Sequence, residues 1–115
     1  MVKVYGIPNC DTVNKTLKWL DKHKVAYQFH DYKKLGITAA KLKSWTGQVG
    51  WEKVFNKKSA TWRALDTATQ ASVTNEKAAI SLMTNSTSII KRPVIEEDGK
   101  VVAVGFDEKG YREIF

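Results

Sequence analysis

The chain of 115 residues contains one cysteine, Cys10, in the segment IPNCDTVNK. A cysteine attacks as its thiolate, and a free thiol with a pKa of about 8.5 is mostly protonated at neutral pH. Cys10 follows Pro8 and Asn9, and the residues after it have helical spacing. A sulfur just before a helix faces unpaired N–H groups and the positive end of the helix dipole, which stabilise an anion. The position favours a reactive thiol, with an inert buried cysteine as the alternative.

A second group with possible chemistry is the segment KRPV, which contains Arg92 and Pro93. Proline cannot donate to a strand ladder, so it belongs at the start or edge of a strand. The predicted strand order places Pro93 beside the Cys10 loop, and an X-Pro bond adopts the cis form at modest cost. Arg92 then projects towards the sulfur, where a guanidinium binds a thiolate, an oxyanion or a carboxylate. A surface salt bridge to Glu96 or Glu97 is the alternative for Arg92.

The first third of the chain must position the cysteine. Residues 2–7 are rich in β-branched side chains and end at a proline, which predicts a strand. Apolar residues at helical spacing predict a helix from Asp11 to about residue 24, capped by Asn9 or Asp11. The alternation in residues 25–32 predicts a second strand. A strand, helix, strand unit of this kind usually builds a parallel pair.

The middle of the chain, residues 38–87, contains no convincing strand. Its apolar residues fit short amphipathic helices, and Gly47 and Gly50 separate the first two of them. A further helix is predicted over residues 76–84. Three tryptophans of this region are expected in the core rather than as ligand-stacking residues: Trp45, Trp51 and Trp62.

The last part of the chain predicts a hairpin and a short helix. Apolar residues 94–95 and 101–104 flank Asp98 and Gly99, which is a strong turn signal. The complete order is β-α-β, a helical block, β-β and α. This order predicts an α/β, thioredoxin-like fold with a mixed sheet and an all-helical insertion. We expect one domain over residues 1–115, with residues 1–35 and 88–115 as the sheet core and 36–87 as the insertion.

Composition restricts the class of protein. The hydrophobic content of 43% is enough for a packed core, and no apolar run approaches the roughly 20 residues that span a bilayer. The N-terminus lacks the apolar region of a signal peptide, so we expect a cytoplasmic protein without a membrane partner. A single cysteine excludes an intramolecular disulfide and argues against a cysteine-based zinc site.

The net charge of +7 raises the question of an anionic partner. The basic residues are spread along the chain, and neither a block of like charges nor a nucleic-acid-binding motif occurs. We therefore interpret the charge as a solvated basic surface, with a docking face for an acidic protein as the alternative. Nucleic acid is not an expected partner.

Three segments resemble the arsenate reductase (ArsC)/Spx-like family of the thioredoxin fold: YGIPNCDTVNKTLKWLDKHKVAYQFHDY, GWEKVFNKKSATWRAL and IIKRPVIEEDGKVVAVGF. They cover nearly the whole chain in the order of the family. The cysteine loop and the Arg-Pro strand at this separation form a specific pair of motifs. Within the family, the YffB-like branch is the most similar, and it implies a thiol-dependent oxidoreductase.

The resemblance implies roles for particular residues. Cys10 matches the family's nucleophile, and Arg92 matches the arginine that precedes the family's cis-proline. The YffB-like branch is thought to act as a glutathione-dependent thiol reductase, which implies glutathione as a co-substrate and no bound cofactor or metal. Further contacts with substrate or glutathione are predicted for Asn9, Asp11, Thr12, Asn56, Lys57, Lys58, Arg63 and Pro93. Of these, Lys57, Lys58 and Arg63 are the candidates for the glutathione carboxylates.

The chain departs from the glutaredoxin-coupled arsenate reductases at three anion-binding positions. Val13 stands where they carry a serine, Asn56 where they carry a second arginine, and Phe106 at a third position. Each charged hydrogen bond contributes about 1.5–3 kcal/mol, so losing these contacts weakens oxyanion binding. Efficient arsenate reduction is therefore not expected, and a glutaredoxin-dependent arsenate reductase is kept as an alternative.

The chain contains no second cysteine that could resolve a mixed disulfide at Cys10. An outside thiol must do so, and glutathione or a glutaredoxin is the expected partner.

An Spx-like regulator that binds the RNA polymerase α subunit is the alternative from another class, and Gly50 lies in the region by which Spx proteins contact the polymerase. The Cys-x-x-Cys switch of many Spx proteins cannot form, because its second position is Val13. We expect a monomer.

Overall fold

The computed structural model describes residues 1–115. The four strands are β1 (Val2–Gly6), β2 (Tyr27–Asp31), β3 (Val94–Glu97) and β4 (Lys100–Val104). The helices are α1 (Asp11–Lys22), α2 (Tyr32–Leu35), α3 (Ala39–Val49), α4 (Trp51–Val54), α5 (Ala60–Arg63), α6 (Thr67–Ser72), α7 (Glu76–Asn85) and α8 (Glu108–Ile114). A 3₁₀ turn, Thr87–Ile89, lies between α7 and β3.

The strands form one mixed sheet in the spatial order β2-β1-β3-β4. β2 is parallel to β1, whereas β3 is antiparallel to both β1 and β4. The turn between β3 and β4 places Asp98 and Gly99 at φ angles of 52° and 83°. Two consecutive positive φ angles are those of a two-residue hairpin turn. The predicted thioredoxin-like order and the hairpin are confirmed.

One compact unit, here called the sheet unit, comprises Met1–Leu35 and Arg92–Phe115. Its core lies between the sheet and the helices α1 and α8. Tyr111 is 1% exposed, and its ring meets that of Trp19 edge-on at 5.4 Å. The buried members of this core are Val2, Val4, Trp19, Leu20, Ile95 and Tyr111.

The second compact unit, here called the helical unit, comprises Gly36–Lys91. The segment after α4 and the segment before β3 are joined within it, because Lys91 N–H donates to the Val54 carbonyl at 2.8 Å and Asn56 N–H donates to the Ile89 carbonyl at 2.7 Å. The buried hydrophobic residues of this unit are Leu42, Trp45, Val54, Phe55, Trp62, Ala79, Met83, Ile89 and Ile90.

The boundary between the units differs slightly from the predicted one. Residues 88–91 fall in the helical unit rather than with the sheet, because their backbone bonds lead to the segment after α4. Whether the chain is a single domain stays a prediction.

Several local predictions are wrong. The second strand is shorter than predicted, since it spans only Tyr27–Asp31 and Tyr32 already begins α2. Gly47 does not end a helix, because α3 continues to Val49 and ends at Gly50, whose φ is +91°. Trp45 and Trp62 are buried as expected, whereas Trp51 is only partly buried.

None of the helices has both the length and the apolar character that crossing a bilayer requires.

Candidate active site

Three chain segments meet at one edge of the sheet unit. β1 runs parallel to β2, with Gly6 beside Asp31, so both strands end at this edge. β3 runs antiparallel to β1, with Val94 beside Tyr5, so β3 begins there. The residues that follow β1 and β2 and precede β3 therefore come together. They include Cys10, Tyr32 and Arg92.

Cys10 is itself the N-cap of α1, with φ of −136° and ψ of 122°. Its carbonyl accepts the first helical hydrogen bond, from the N–H of Asn14 at 2.9 Å. The prediction that Asn9 or Asp11 caps this helix is wrong, since Asn9 precedes the cap and Asp11 is the first helical residue. No side chain caps the helix, so its first N–H groups are left for the sulfur or a ligand.

A glycine fixes the close approach of α1 to β1. A Cβ atom on Gly6 would lie only 2.8 Å from Cγ2 of Val13, which is fully buried. The buried side chain of Val13 offers no hydrogen bond to the sulfur. Its backbone N–H instead acts on Cys10.

The surroundings of Cys10 lower its pKa below the ordinary value. Partial burial by itself raises the pKa of the thiol, because it disfavours the charged form. The N–H of Val13, the side chain of Arg92 and the N–H of Thr12 together outweigh burial. The lowered pKa favours the thiolate form of Cys10. The residue is only partly buried, so reagents can reach it.

Arg92 precedes a cis peptide bond to Pro93. The Pro93 carbonyl accepts a hydrogen bond from the N–H of Gly105 at 2.8 Å, and this bond ties the start of β3 to the end of β4. Burial alone lowers the pKa of Arg92, but its contacts with Cys10 and Tyr32 have the larger combined effect and raise it. The guanidinium therefore stays charged beside the sulfur.

Tyr32 is a site residue that the sequence interpretation missed. It is 1% exposed and lies directly after β2, within range of the charges of Arg92 and Cys10. The only signal in the sequence was a tyrosine at the end of a strand predicted to be parallel to the one before Cys10. That signal is weak, because an aromatic residue in a strand usually serves the core.

Four of the predicted contacts lie in the helical unit: Asn56, Lys57, Lys58 and Arg63. The first three line a cavity of about 250 Å³ together with Glu52, Phe55 and Lys91. The side-chain oxygen of Asn56 accepts the N–H of Lys58 at 3.0 Å, which shapes this loop.

Arg63 ends α5, is exposed and does not line this cavity. Lys91 was not predicted. In the sheet unit, Asn9 and Asp11 are exposed and Thr12 is partly buried.

No group of three His, Cys, Asp or Glu side chains is arranged to hold a metal ion.

Comparison with known proteins identifies the family. The model of the ArsC family matches residues 5–114. The chain belongs to the ArsC family. This match covers almost the whole sequence and includes both Cys10 and Arg92.

Solved ArsC-family structures agree with this fold. A protein called YFFB (PA3664) is 44% identical, with a TM-score of 0.92, over 98% of this chain and 97% of that protein. An arsenate reductase (ArsC) related protein from Brucella melitensis is 41% identical, with a TM-score of 0.78, over 97% of this chain and 92% of that protein. Family membership and these neighbours support a thiol oxidoreductase family.

A relative of another functional class also matches this ArsC-family chain. The global transcriptional regulator Spx of Streptococcus mutans is 28% identical over 97% of this chain and 81% of its own length. The family to which this chain belongs is therefore similar to regulators as well as to reductases.

Proposed function

We propose that this protein is a single-cysteine thiol-disulfide oxidoreductase that works with glutathione or a glutaredoxin. The observation that carries the proposal is the lowered pKa of Cys10, produced by the α1 N–H groups and Arg92 against the opposing effect of burial. A thiolate at neutral pH is the form that attacks a disulfide.

The proposed reaction has two exchange steps. In the first, the Cys10 thiolate attacks the glutathione sulfur of a mixed disulfide. A new S–S bond forms, the old one breaks, and the leaving thiolate carries away the electron pair and takes a proton from solvent. In the second, the thiolate of another glutathione attacks the glutathione sulfur on Cys10. Oxidised glutathione leaves and the Cys10 thiolate is restored, so one reduced glutathione is consumed for each mixed disulfide that is cleaved.

The residues of the site have separate roles in this proposal. The N–H groups of Val13 and Thr12 and the guanidinium of Arg92 stabilise the thiolate of Cys10. Arg92 also offers a fixed positive charge for an anionic group of the substrate. Pro93, Asn9 and Asp11 stay proposed contacts of the substrate.

Glutathione carries carboxylates that need basic partners. Lys57 and Lys58, with the neighbouring Lys91, give the cavity in the helical unit a basic lining. We propose Lys57 and Lys58 as ligands of these carboxylates and retain Asn56 as a polar contact, whereas Arg63 has weaker support because it lies outside this cavity. Changing both lysines to alanine should raise the KM for glutathione and leave the alkylation rate of Cys10 unchanged.

The test of the function is adduct formation with oxidised glutathione, followed by intact mass. We expect one glutathionyl group on the wild-type chain, none on Cys10→Ser, and its removal by reduced glutathione. A wild-type chain that forms no adduct, although its cysteine reacts with iodoacetamide, would contradict the proposal.

Two alternatives give different results in the same preparation. An arsenate reductase would consume reductant only after arsenate is added, and the buried side chain of Val13 argues against strong oxyanion binding. An Spx-like regulator, favoured by the similarity to Spx, would bind the RNA polymerase α subunit with or without Cys10.

A further inference from the structure

A buried threonine lies in the second turn of α1, the helix that Cys10 caps. Thr16 is fully buried, and its hydroxyl donates to the carbonyl of Thr12 at 3.0 Å. The same hydroxyl oxygen lies 3.2 Å from that of Tyr111, which is also buried. All these residues belong to the sheet unit. A buried hydroxyl is costly to leave unsatisfied, so these contacts decide where the Thr16 proton goes.

The carbonyl that Thr16 contacts belongs to a peptide group that faces the sulfur with its other end. The C=O of Thr12 and the N–H of Val13 are the two ends of one planar trans peptide, so they point in opposite directions. Cys10 is the N-cap and Val13 the third helical residue, whose N–H an N-cap side chain ordinarily faces. The Val13 N–H accordingly acts on Cys10. One peptide group therefore joins the Thr16 hydroxyl to the sulfur.

Two hydroxyl protons serve the three contacts between the oxygens of this network. The Tyr111 hydroxyl donates to the Gly105 carbonyl at 2.6 Å, which is the shortest of the three contacts. Burial raises the pKa of Tyr111 to about 12, so this proton is retained at neutral pH. The Tyr111 oxygen then acts towards Thr16 only as an acceptor. The Thr16 proton is the one hydroxyl proton left for the Thr12 carbonyl.

The far end of the network lies on the side of the site that carries Arg92. The carbonyl of Gly105 accepts the Tyr111 proton, and its N–H donates to the Pro93 carbonyl at 2.8 Å. Pro93 follows Arg92 across the cis peptide bond. Buried hydrogen bonds thus connect the segment of Arg92 with the first turn of α1.

We propose that Thr16 is a positioning residue of this site, whose hydroxyl holds the peptide group between Thr12 and Val13 with its N–H directed at the Cys10 sulfur. Hydrogen bonds in a chain polarise one another, so a donor on the carbonyl makes the N–H at the other end of the peptide a better donor. The proposal rests on the proposed function in one respect, namely that the reacting form of Cys10 is the thiolate.

The test is the pH dependence of Cys10 alkylation by iodoacetamide in Thr16→Val and Thr16→Ser. Valine keeps the shape of threonine without its hydroxyl, whereas serine keeps the hydroxyl and loses the methyl group. In Thr16→Val we expect the titration of Cys10 to move to higher pH. The rate well below the titration midpoint should fall about threefold, as for the weakening of one charge-assisted hydrogen bond. Thr16→Ser should titrate as wild type does.

Stability separates this positioning role from packing alone. Thr16→Ser removes a methyl group at a fully buried position, so the variant should be less stable than wild type in urea unfolding. Its Cys10 should nevertheless titrate as in wild type, because the hydroxyl is still present. If Thr16 served packing alone, the titration would follow the loss of the methyl group instead.

A matched control is Tyr111→Phe, at the other end of the network. It leaves the Gly105 carbonyl without its hydroxyl partner, so we expect lower stability. It also leaves the Thr12 carbonyl as the one close acceptor of the Thr16 hydroxyl. The titration of Cys10 should therefore not move to higher pH. Thr16→Val and Tyr111→Phe each remove one hydroxyl from the network and differ in the predicted titration.

Three results would overturn the role of Thr16. The first is a Thr16→Val chain whose Cys10 titrates as in wild type. The others are a Thr16→Ser or a Tyr111→Phe chain whose titration moves as far as that of Thr16→Val. Arg92 and Tyr32, the ionisable side chains that act on Cys10, stay in place in every variant. No readout uses a disulfide, so failure of the proposed exchange with oxidised glutathione is detected separately.

Discussion

Cys10 occupies a backbone position that serine, threonine, aspartate or asparagine usually takes, the N-cap of a helix. Those residues satisfy the first N–H groups of the helix with a side-chain oxygen. Here the sulfur of Cys10 faces the same N–H groups, and the side chain makes no capping hydrogen bond. The unsatisfied N–H groups are therefore available to stabilise the thiolate, as reflected in its lowered pKa.

This lowered pKa predicts a pH dependence of stability. The folded thiol holds its proton less tightly than the unfolded one, so the free energy of unfolding of wild type, relative to Cys10→Ser, rises as the pH rises through the folded pKa of Cys10. The gain is complete above the ordinary value of about 8.5 and is lost as the pH falls through the folded pKa. Urea unfolding of both chains across this range measures it, and a constant difference would contradict it.

The sequence predicted the roles of some site residues and not of others. Cys10 and Arg92 were found because their residue types sit in two distinctive segments, and the predicted strand order brings those segments together. The cap was assigned wrongly because Asn9, Cys10 and Asp11 are consecutive, and the sequence does not say which of them takes the extended backbone. Tyr32 was missed because its position beside Arg92 is a property of the folded site.

At the scale of elements, the junction between β1 and α1 sets the position of the cysteine. Val13 packs directly on Gly6, so the first turn of α1 lies close against the end of β1. A side chain at residue 6 would push this turn away. The Val13 N–H that stabilises the thiolate would move with it.

Gly6→Ala tests this arrangement. Its Cβ would meet the Val13 side chain at 2.8 Å, and overpacking of this kind costs about 1–3 kcal/mol. We expect lower stability in urea unfolding and slower alkylation of Cys10 at neutral pH. Gly47→Ala is the matched control, since Gly47 lies inside α3 with open space around it, and it should gain about 0.5–1 kcal/mol. Wild-type stability in Gly6→Ala would contradict the account.

The sequence predicted long elements better than their ends. The hairpin was found from Asp98 and Gly99, because that pair matches the turn geometry directly. The short helix α2 was not predicted, since its four residues are too few to show helical spacing. Gly47 and Gly50 looked equivalent, and only the positive φ of Gly50 shows which one ends the helix.

At the scale of the whole molecule, the net charge of +7 favours an anionic substrate. Oxidised glutathione is an anion, whereas iodoacetamide is neutral. We expect the rate of Cys10 with oxidised glutathione to fall about threefold between 0.01 and 0.15 M ionic strength, as the screening length shrinks from about 30 to about 8 Å. The rate with iodoacetamide should change little. Equal salt dependence of both rates would argue against electrostatic attraction of this substrate.

The central claim is that Arg92 and the start of α1 hold the pKa of Cys10 below its ordinary value. Its most direct test is the pH dependence of Cys10 alkylation in wild type and in Arg92→Ala. The account predicts that wild type titrates below the ordinary value of about 8.5 and that the titration moves to higher pH when Arg92 is lost. A cysteine that titrates at the ordinary value, or that titrates the same in both chains, would contradict it.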